Sequence, residues 1–379
     1  MVTRLTTGAR RLARPIGRPL RQAAIALRTL PWPPYSRLLV ASDAGDWVIA
    51  GEARQLRQAA RELGVQVGAG RLISGVREQS VFYASHFSLL GVGWGPGRNR
   101  LGLAYLHGRP GTPGNPEFDV CYEALRSRHR ELDRIQVSCR AMEELVLDAG
   151  VPREKVFLIP IGVEIERFPL REPYGRLEAR RALGLPGEAF VVGSFQKDGV
   201  GWDEGLEPKL IKGPDVLVEA LGRLRQRLPE LFVLLTGPAR GYVKRGLEQA
   251  GVPYRHEHLD DLDAVARAYR ALDVYLVSSR EEGGPKAVLE AMASGVPLVT
   301  TRVGQAADLV RHGENGWLVD VGDVQGLVTA TADLAAAPGT EVELVVSGGR
   351  ETAEAYSYEA LRPRWAELLS GFVAMDSAG

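Results

Sequence analysis

The sequence predicts an α/β protein with two doubly wound parallel sheets, one in each half of the chain. From Ser36 onward, short apolar runs alternate with helical patterns, which is typical of stacked βαβ units. The alternation stops in a polar, proline-containing stretch at 163–186 and then restarts. The 379 residues are enough for two domains of ordinary size. We therefore predict two Rossmann-like domains joined by a linker.

Five apolar runs in the first half are predicted strands, at 37–42, 80–85, 101–108, 134–139 and 155–162. Between the first two, residues 52–64 form a helical pattern that places Ala53 and Leu56 on one apolar face and ends at Gly64. The predicted segments are an N-terminal arm at 1–36, a first Rossmann-like domain at 37–168, a linker at 169–186, a second Rossmann-like domain at 187–352 and a C-terminal helix at 353–379.

Four runs in the second half are predicted strands, at 189–195, 231–237, 274–279 and 296–301. Each ends in small or hydroxyl-bearing residues. Because ligands of open parallel sheets bind beyond the carboxyl ends of the strands, we expect these residues to line one cleft. They are Gly193, Ser194, Thr236, Gly237, Ser278 and Ser279. Near the end of the chain, 357–372 predicts a helix that Pro363 kinks or breaks.

The composition narrows the class of protein. With 45% hydrophobic and 25% charged residues the chain is globular, and 47 basic against 47 acidic residues give no overall field for nucleic acid. Two cysteines, Cys121 and Cys139, exclude a disulfide scaffold and a four-cysteine zinc site, and the six histidines show no metal spacing. We expect reduced thiols, no metal, no cofactor, no membrane-spanning helix and a cytoplasmic location.

The charge balance hides a basic N-terminal arm. Residues 1–37 contain eight arginines and no acid, and apolar residues are interleaved among them. One interpretation is an arm that lies on an anionic membrane surface, such as the inner membrane face. The alternatives are a solvated tail broken by prolines and an organellar transit peptide, for which the arm is poor in serine.

The sharpest chemical signal is the segment 278–301. A predicted strand ends at Ser279, Gly283 and Gly284 follow, and Pro285 stands where a first helical residue belongs. A glycine turn that opens a helix leaves backbone N–H groups unpaired at the positive end of the helix dipole. We therefore expect a phosphate or sugar hydroxyls to bind at this turn. The candidate contacts are Gly283, Gly284, Pro285 and Lys286.

Two glutamates, Glu282 and Glu290, bracket this turn with seven residues between them. Glu290 lies among apolar helix residues, and ionised glutamates are rarely buried without a partner. Since an ionised carboxylate only accepts hydrogen bonds, the vicinal hydroxyls of a ribose suit Glu290 and those of a hexose suit Glu282. The structural alternative pairs Glu290 with an arginine and leaves Glu282 as a solvated loop acid.

These residues resemble the retaining GT-B glycosyltransferases of the large family 4. The resemblance rests on EGGPKAVLEAM at 282–292 and GVPLV at 295–299. Further segments agree in the same order: IPIGVEIERF at 159–168, Lys212-Gly213, and GENGWLV at 313–319. The match covers about residues 134–372 and is looser before them. It is specific to the family and not to one substrate.

The resemblance implies the GT-B fold, with two facing doubly wound domains and a C-terminal helix. It implies that the second domain holds a nucleotide-sugar donor, that the first domain holds a glycan or lipid-linked acceptor, and that transfer retains the anomeric configuration without metal. The alternatives are a nucleotide-sugar epimerase or phosphorylase of the same fold and a non-catalytic transferase-like subunit.

Carried over residue by residue, the resemblance implies that Lys212 binds the donor diphosphate, Glu282 the sugar hydroxyls and Glu290 the ribose. A fixed cation and helix-end amides would stabilise the charge that gathers on the leaving diphosphate. His107 corresponds to a family histidine near the reacting sugar; the alternative is a structural histidine at a strand end. Ser194 and Gly237 are further candidate donor contacts.

The chain departs from the family pattern in two loops. Family members usually place an arginine shortly before the lysine, whereas this chain has a longer loop at 196–212 with Lys197 near its start. Lys197 is our candidate for the second cation, although lysine lacks the bidentate fork of arginine. Trp202 in the same loop either stacks on a base or an acceptor sugar, or packs locally. Residues 41–51 lack the family's Gly-Gly pair, so Gly45, Asp46 and Trp47 are only candidate acceptor or phosphate contacts.

Asp261 and Asp263 mimic the Asp-x-Asp metal motif of a different transferase architecture. They immediately precede a helical pattern, however, where aspartates serve as N-terminal caps. We therefore predict caps and not metal ligands.

Overall fold

The computed structural model describes residues 34–42, 48–70, 76–88, 98–172, 174–259 and 261–374. Within them, the predicted pair of doubly wound parallel sheets is confirmed, since each half of the chain forms a six-stranded parallel sheet. Most of the arm at 1–36, for which contact with a membrane was predicted, lies outside the described residues. The candidate contacts Gly45, Asp46 and Trp47 also lie outside them.

The first sheet has the strand order β2-β1-β3-β4-β5-β6. Its central strands are apolar runs that helices cover, as parallel sheets require. The strands are β1 (Arg37–Ala41), β2 (Gln66–Gly70), β3 (Ser80–Tyr83), β4 (Arg100–Tyr105), β5 (Arg134–Val137) and β6 (Val156–Leu158). The helices are α1 (Val48–Glu62), α2 (Pro116–Arg128) and α3 (Arg140–Asp148).

The second sheet has the order β12-β11-β10-β7-β8-β9, so the strand order reverses between β7 and β10 and opens a crevice there. The strands are β7 (Phe190–Phe195), β8 (Leu231–Thr236), β9 (Tyr254–Glu257), β10 (Val274–Val277), β11 (Leu298–Thr301) and β12 (Trp317–Val319). The helices are α4 (Gly175–Ala182), α5 (Pro214–Arg227), α6 (Gly241–Gln249), α7 (Leu262–Tyr269), α8 (Lys286–Ala293), α9 (Ala306–Leu309), α10 (Val324–Ala336), α11 (Gly339–Ala355) and α12 (Arg362–Leu369).

The predicted linker is more ordered than its polar sequence indicates, because it contains α4. Arg180 on this helix is buried and donates from Nε to the carbonyl oxygen of Ala271 at 3.0 Å. It also pairs with Asp273, which accepts a hydrogen bond from the backbone N–H of Val191 at 2.7 Å. This part of the linker is therefore anchored to the second sheet. The predicted segment limits themselves stay predictions.

The single helix predicted at 353–379 is wrong in one respect, because the described part of this segment holds the end of α11 and the separate helix α12. Pro363 lies in the first turn of α12 and so begins a helix instead of kinking one. Trp365 and Leu368 of α12 are buried in the apolar core of the first half, together with Leu56 of α1. The chain therefore returns to the half from which it started.

Two chain segments cross between the halves, and they are hydrogen bonded to each other. The backbone N–H of Val163 donates to the carbonyl oxygen of Tyr356 at 3.3 Å, and that of Tyr358 donates to the carbonyl oxygen of Val163 at 3.1 Å. Val163 and Ser357 thus form a parallel bridge.

The two halves also approach each other closely at the end of β4. A Cβ added at Gly283 would lie 1.5 Å from the carbonyl oxygen of Leu106 in the first half. One at Gly284 would lie 2.6 Å from Oε1 of Gln305, an oxygen that accepts a hydrogen bond from the backbone N–H of Ile161 at 3.0 Å. The glycine pair therefore permits contact between the halves, in addition to opening a helix.

We expect Trp365→Ala to lower the free energy of unfolding by about 3–5 kcal/mol, because it removes a fully buried indole from the core that joins α12 to α1. Denaturant unfolding followed by circular dichroism measures this change. Leu344→Ala is the control, since Leu344 is 74% exposed and its loss should cost less than about 0.5 kcal/mol. Equal losses in the two variants would contradict the assigned packing.

We expect Gly283→Ala to destabilise the contact between the halves by about 1–3 kcal/mol, the usual cost of inserting a methyl group into a packed region. Small-angle scattering should show a larger radius of gyration at an unchanged helix and strand content. Gly339→Ala is the control, because a Cβ there meets nothing within 4 Å. A Gly283→Ala protein that scatters like the control would show that the halves do not meet at this point.

Candidate functional site

The candidate site lies where the carboxyl ends of β7 and β10 face the end of β4 in the first half. Lys212 ends a short 3₁₀ turn, and Gly213 after it adopts a positive φ of 61°. A Cβ on Gly213 would lie 1.9 Å from the carbonyl oxygen of Ser278, so only glycine allows this approach. The Ser278 hydroxyl donates to the carbonyl oxygen of Gly213 at 2.9 Å. The lysine is thereby fixed against the segment after β10.

Lys212 and Glu282 form an ion pair at the turn before α8. The Ser279 hydroxyl donates a further hydrogen bond of 3.1 Å to the same Glu282 oxygen, Oε1. The Lys212 side chain is 24% exposed and that of Glu282 is 13% exposed, so both charges are partly withdrawn from water. The structure therefore brings two predicted site residues together, and Glu282 is not a solvated loop acid.

Glu281, which the sequence analysis did not single out, connects the two halves beside this pair. Its Oε1 accepts a hydrogen bond from the backbone N–H of Gly108 at 3.2 Å, and its Oε2 lies 3.9 Å from Nε of Arg109. Burial raises the pKa of Glu281. The sequence contained one signal for Glu281, because it is the second acid in front of the Gly283-Gly284 pair.

His107 faces this region from the end of β4. Its ring packs edge to face against those of His86 and Phe118, with centroids 5.0 and 5.7 Å away. Burial lowers the pKa of His107 to about 4; the charge of Glu282 acts in the opposite direction and that of Lys212 in the same direction. The imidazole is therefore neutral near pH 7. The structure places all three predicted catalytic residues within electrostatic range of one another.

Glu290 is buried on α8, and its hydrogen-bond partner among the described residues is a tyrosine and not an arginine. The Tyr269 hydroxyl donates to Oε2 of Glu290 at 3.1 Å. Burial raises the pKa of Glu290, while the nearby charge of Lys286 lowers it. Pro285 occupies the N-cap position of α8, and the helix begins one residue later than predicted, at Lys286.

Lys286 reaches toward the first half. Its ammonium group lies 5.6 Å from the centroid of the Tyr358 ring, and the Tyr358 hydroxyl donates to Oε1 of Glu52. Glu52 is buried on α1, and this burial raises its pKa to about 7 although the charge of Lys286 acts against it. Sequence reasoning missed Glu52; the available signal was a carboxylate four residues before Leu56, on the apolar face of its helix.

Ser194 and Gly237 were predicted to line the cleft, but both make hydrogen bonds within the protein. Ser194 is fully buried, and its Oγ accepts a hydrogen bond from Nη2 of Arg240 at 3.1 Å. The Gly237 carbonyl oxygen accepts from Nε2 of His256 at 2.7 Å, and Gly237 has a φ of 90°. The prediction that the Ser194 side chain lines the cleft is therefore wrong, because this side chain is fully buried and hydrogen bonded to Arg240.

The long loop at 196–212 forms a hairpin. Gly199 and Pro208 make an antiparallel bridge, and the backbone N–H of Lys209 donates to the carbonyl oxygen of Asp198 at 2.7 Å. The ammonium group of Lys197 lies over the Trp202 ring, 4.2 Å from its centroid. The contact supports a packing role for Trp202, whose surface is still 60% exposed. Lys209 also lies in this loop, and the sequence alone did not single it out as a candidate site residue.

Asp261 is the N-cap of α7, and its side chain accepts a hydrogen bond from the backbone N–H of Ala264 at 2.6 Å. The prediction of a cap is confirmed for this residue. Asp263 lies 3.2 Å from Nε of Arg167. In the described part of the chain, no group of three potential metal ligands comes together, and no helix is both long enough and apolar enough to cross a membrane.

The chain is similar in sequence to known transferases. The family model "Glycosyl transferases group 1" matches residues 205–337. A GDP-mannose-dependent alpha-(1-6)-phosphatidylinositol monomannoside mannosyltransferase of Mycolicibacterium smegmatis is 30% identical over 295 residues, 73% of this chain and 73% of that protein. A D-inositol 3-phosphate glycosyltransferase of Saccharomonospora viridis is 32% identical over 327 residues, 76% of this chain and 70% of that protein.

Solved structures share the fold at lower identity. Anabaena Alr3699/HepE, crystallised with UDP and glucose, superimposes with a TM-score of 0.69 at 17% identity, covering 89% of this chain and 99% of that one. A glycosyltransferase of Rickettsia africae ESF-5 gives a TM-score of 0.64 at 14% identity, covering 90% and 99%. Together with the sequence relatives, these matches establish that the chain belongs to the glycosyl transferases group 1 and has their GT-B fold.

Proposed function

We propose that this glycosyltransferase moves a hexosyl group from a nucleotide diphosphate sugar to a glycan or lipid-linked acceptor, with retention at the anomeric carbon. The observation that carries the proposal is the Lys212–Glu282 pair at the start of α8, opposite His107. The Mycolicibacterium smegmatis relative is described as GDP-mannose-dependent, which supports a nucleotide-linked hexose as the donor.

Lys212 would neutralise the leaving diphosphate. When the bond between the anomeric carbon and the diphosphate oxygen breaks, negative charge collects on that oxygen. An ammonium group has three N–H donors, so Lys212 can keep its bond to Glu282 and still donate to a phosphate. The backbone N–H groups at the start of α8, which no side chain caps, would add positive potential. Both groups are fixed before the reaction, so they stabilise the transition state without reorganising.

The two glutamates would hold the two sugars of the donor. Glu282 is oriented by Lys212 and Ser279, which leaves its carboxylate to accept from hexose hydroxyls. Glu290 is fixed by Tyr269 through Oε2 and would accept from the ribose. Such positioning holds the anomeric carbon between the diphosphate subsite and the first half, where the acceptor would bind.

His107 would contact the hexose as a neutral imidazole. A neutral ring offers one N–H donor and one acceptor nitrogen, which suits a sugar hydroxyl. The close approach of Gly283 to Leu106 brings the halves together beside it and would exclude water that could hydrolyse the donor. Neither named relative is an epimerase or a phosphorylase, and no observation favours those reactions or a non-catalytic subunit.

We also propose where in the cell the enzyme works. The Mycolicibacterium smegmatis relative acts on a phosphatidylinositol monomannoside, a lipid. This supports an enzyme that works at a membrane surface, with the basic residues 1–37 as a second attachment signal, and the cytoplasmic location at the inner membrane face stays a prediction. That the reaction needs no metal and no cofactor stays a prediction.

We expect one of UDP-, GDP- and ADP-linked hexoses to raise the melting temperature and to be hydrolysed slowly by the enzyme, whereas the others do not. Lys212→Ala should reduce turnover of that donor by at least about 100-fold, because it removes the cation at the leaving group. Thermal-shift and product-release assays measure both effects. Lys155→Ala is the matched control, because Lys155 lies at the amino end of β6, away from the site. Normal turnover in Lys212→Ala would refute the diphosphate assignment.

We expect the rate to show no titration of His107 between about pH 5 and pH 8, because its pKa in the folded protein is about 4. His107→Gln should lower kcat/KM at every pH in this range without changing the shape of the profile. An inflection near pH 6.5 that disappears in His107→Gln would contradict a neutral role. Because the unfolded pKa is near 6.5, the stability linked to His107 should fall as the pH drops from about 6.5 to about 4.

A further inference from the structure

The hairpin at 196–212 brings three lysines to one side of the site. Lys209 precedes the 3₁₀ turn that ends at Lys212, and the backbone N–H of Lys212 donates to the carbonyl oxygen of Lys209 at 2.8 Å. Lys209 and Lys212 are close enough for their charges to interact, and the charge of Glu282 also acts on Lys209. Lys197 lies on the opposite strand of the hairpin, next to Asp198, which pairs with Lys209 through its backbone.

A buried ion pair holds the base of this hairpin. Nε of Arg240 lies 3.0 Å from Oδ1 of Asp198, and neither side chain is exposed. The same guanidinium donates from Nη1 to the carbonyl oxygens of Ser194, Gln196 and Thr236 at 2.7, 3.0 and 3.0 Å. Arg240 is fully buried, and these contacts hold it inside the base of the hairpin. It fixes the chain on both sides of Lys197 and, through Asp198, the strand that carries Lys209.

The two remaining lysines differ in their surroundings. Lys197 is held over the Trp202 ring, which engages its charge. Lys209 is half-buried, and it interacts electrostatically with both Lys212 and Glu282. Burial and the charge of Lys212 lower the pKa of Lys209, so its ammonium form would gain from a nearby anion.

We propose that Lys209, and not Lys197, is the second cation that binds the donor diphosphate, in the role that an arginine fills elsewhere in the family. The proposal rests on the proposed function, since it concerns the same donor site. The hairpin has a role in this proposal, because its bridge between Gly199 and Pro208 closes immediately before Lys209 and fixes the backbone that carries this lysine. Arg240 and Asp198 are then positioning residues for this cation.

The test measures binding of UDP, GDP and ADP by isothermal titration calorimetry to the full-length enzyme and to Lys209→Ala, Lys209→Arg and Lys197→Ala. For the diphosphate that binds the wild type, we expect Lys209→Ala to raise Kd by at least about 10-fold, the loss expected for one charge-assisted hydrogen bond. Lys209→Arg should restore most of the affinity, and Lys197→Ala should change Kd by less than about 3-fold.

The corresponding nucleoside, uridine, guanosine or adenosine, separates a phosphate contact from a folding defect. Its Kd should be the same for Lys209→Ala and the wild type, because the nucleoside carries no phosphate. Unchanged diphosphate affinity in Lys209→Ala, a larger loss in Lys197→Ala, or an equal loss of nucleoside binding would each overturn the assignment. If the wild type binds none of the three diphosphates, the proposed function itself fails, and this inference fails with it.

Discussion

The ion pair between Lys212 and Glu282 is the interaction on which the rest of the site depends. It joins the turn before α5 to the turn before α8, and these two helices flank the crevice where the strand order of the second sheet reverses. Charges withdrawn from water are stable only when they are paired and hydrogen bonded. Each residue thus gives the other's charge a partner inside the protein, and the hydroxyl of Ser279 donates a further hydrogen bond to the carboxylate.

The sequence allowed the centre of each sheet to be predicted but not all of its edges. Every predicted strand is present, because central parallel strands are unbroken apolar runs that differ sharply from their flanking turns. The strands that were missed, β2, β9 and β12, all lie at sheet edges. β9 reads YRHE, β12 has three residues and β2 contains two glycines, so none carries the periodicity or length that identifies a strand.

The site shows a similar difference, between residues that a short segment of sequence identifies and residues that only the fold brings together. Lys212, Glu282 and Glu290 could be singled out because they stand in short, recognisable segments beside glycines, and their roles stay predictions. Glu52, Glu281 and Lys209 were missed, because whatever signal each has in the sequence is weak and its significance comes from a partner far away in the chain. Ser194 shows the converse error: a hydroxyl at a strand end looked available, and only the fold reveals the buried Arg240 that bonds to it.

The paired crossings near Val163 and Ser357 restrict how the enzyme can move. A single flexible connection would let one half swivel and slide against the other. Two backbones bonded side by side allow fewer relative motions, because any twist that separates Val163 from Tyr356 or Tyr358 must break a hydrogen bond. The bonded crossings therefore also limit where His107 can lie relative to Glu282, since these two residues belong to different halves.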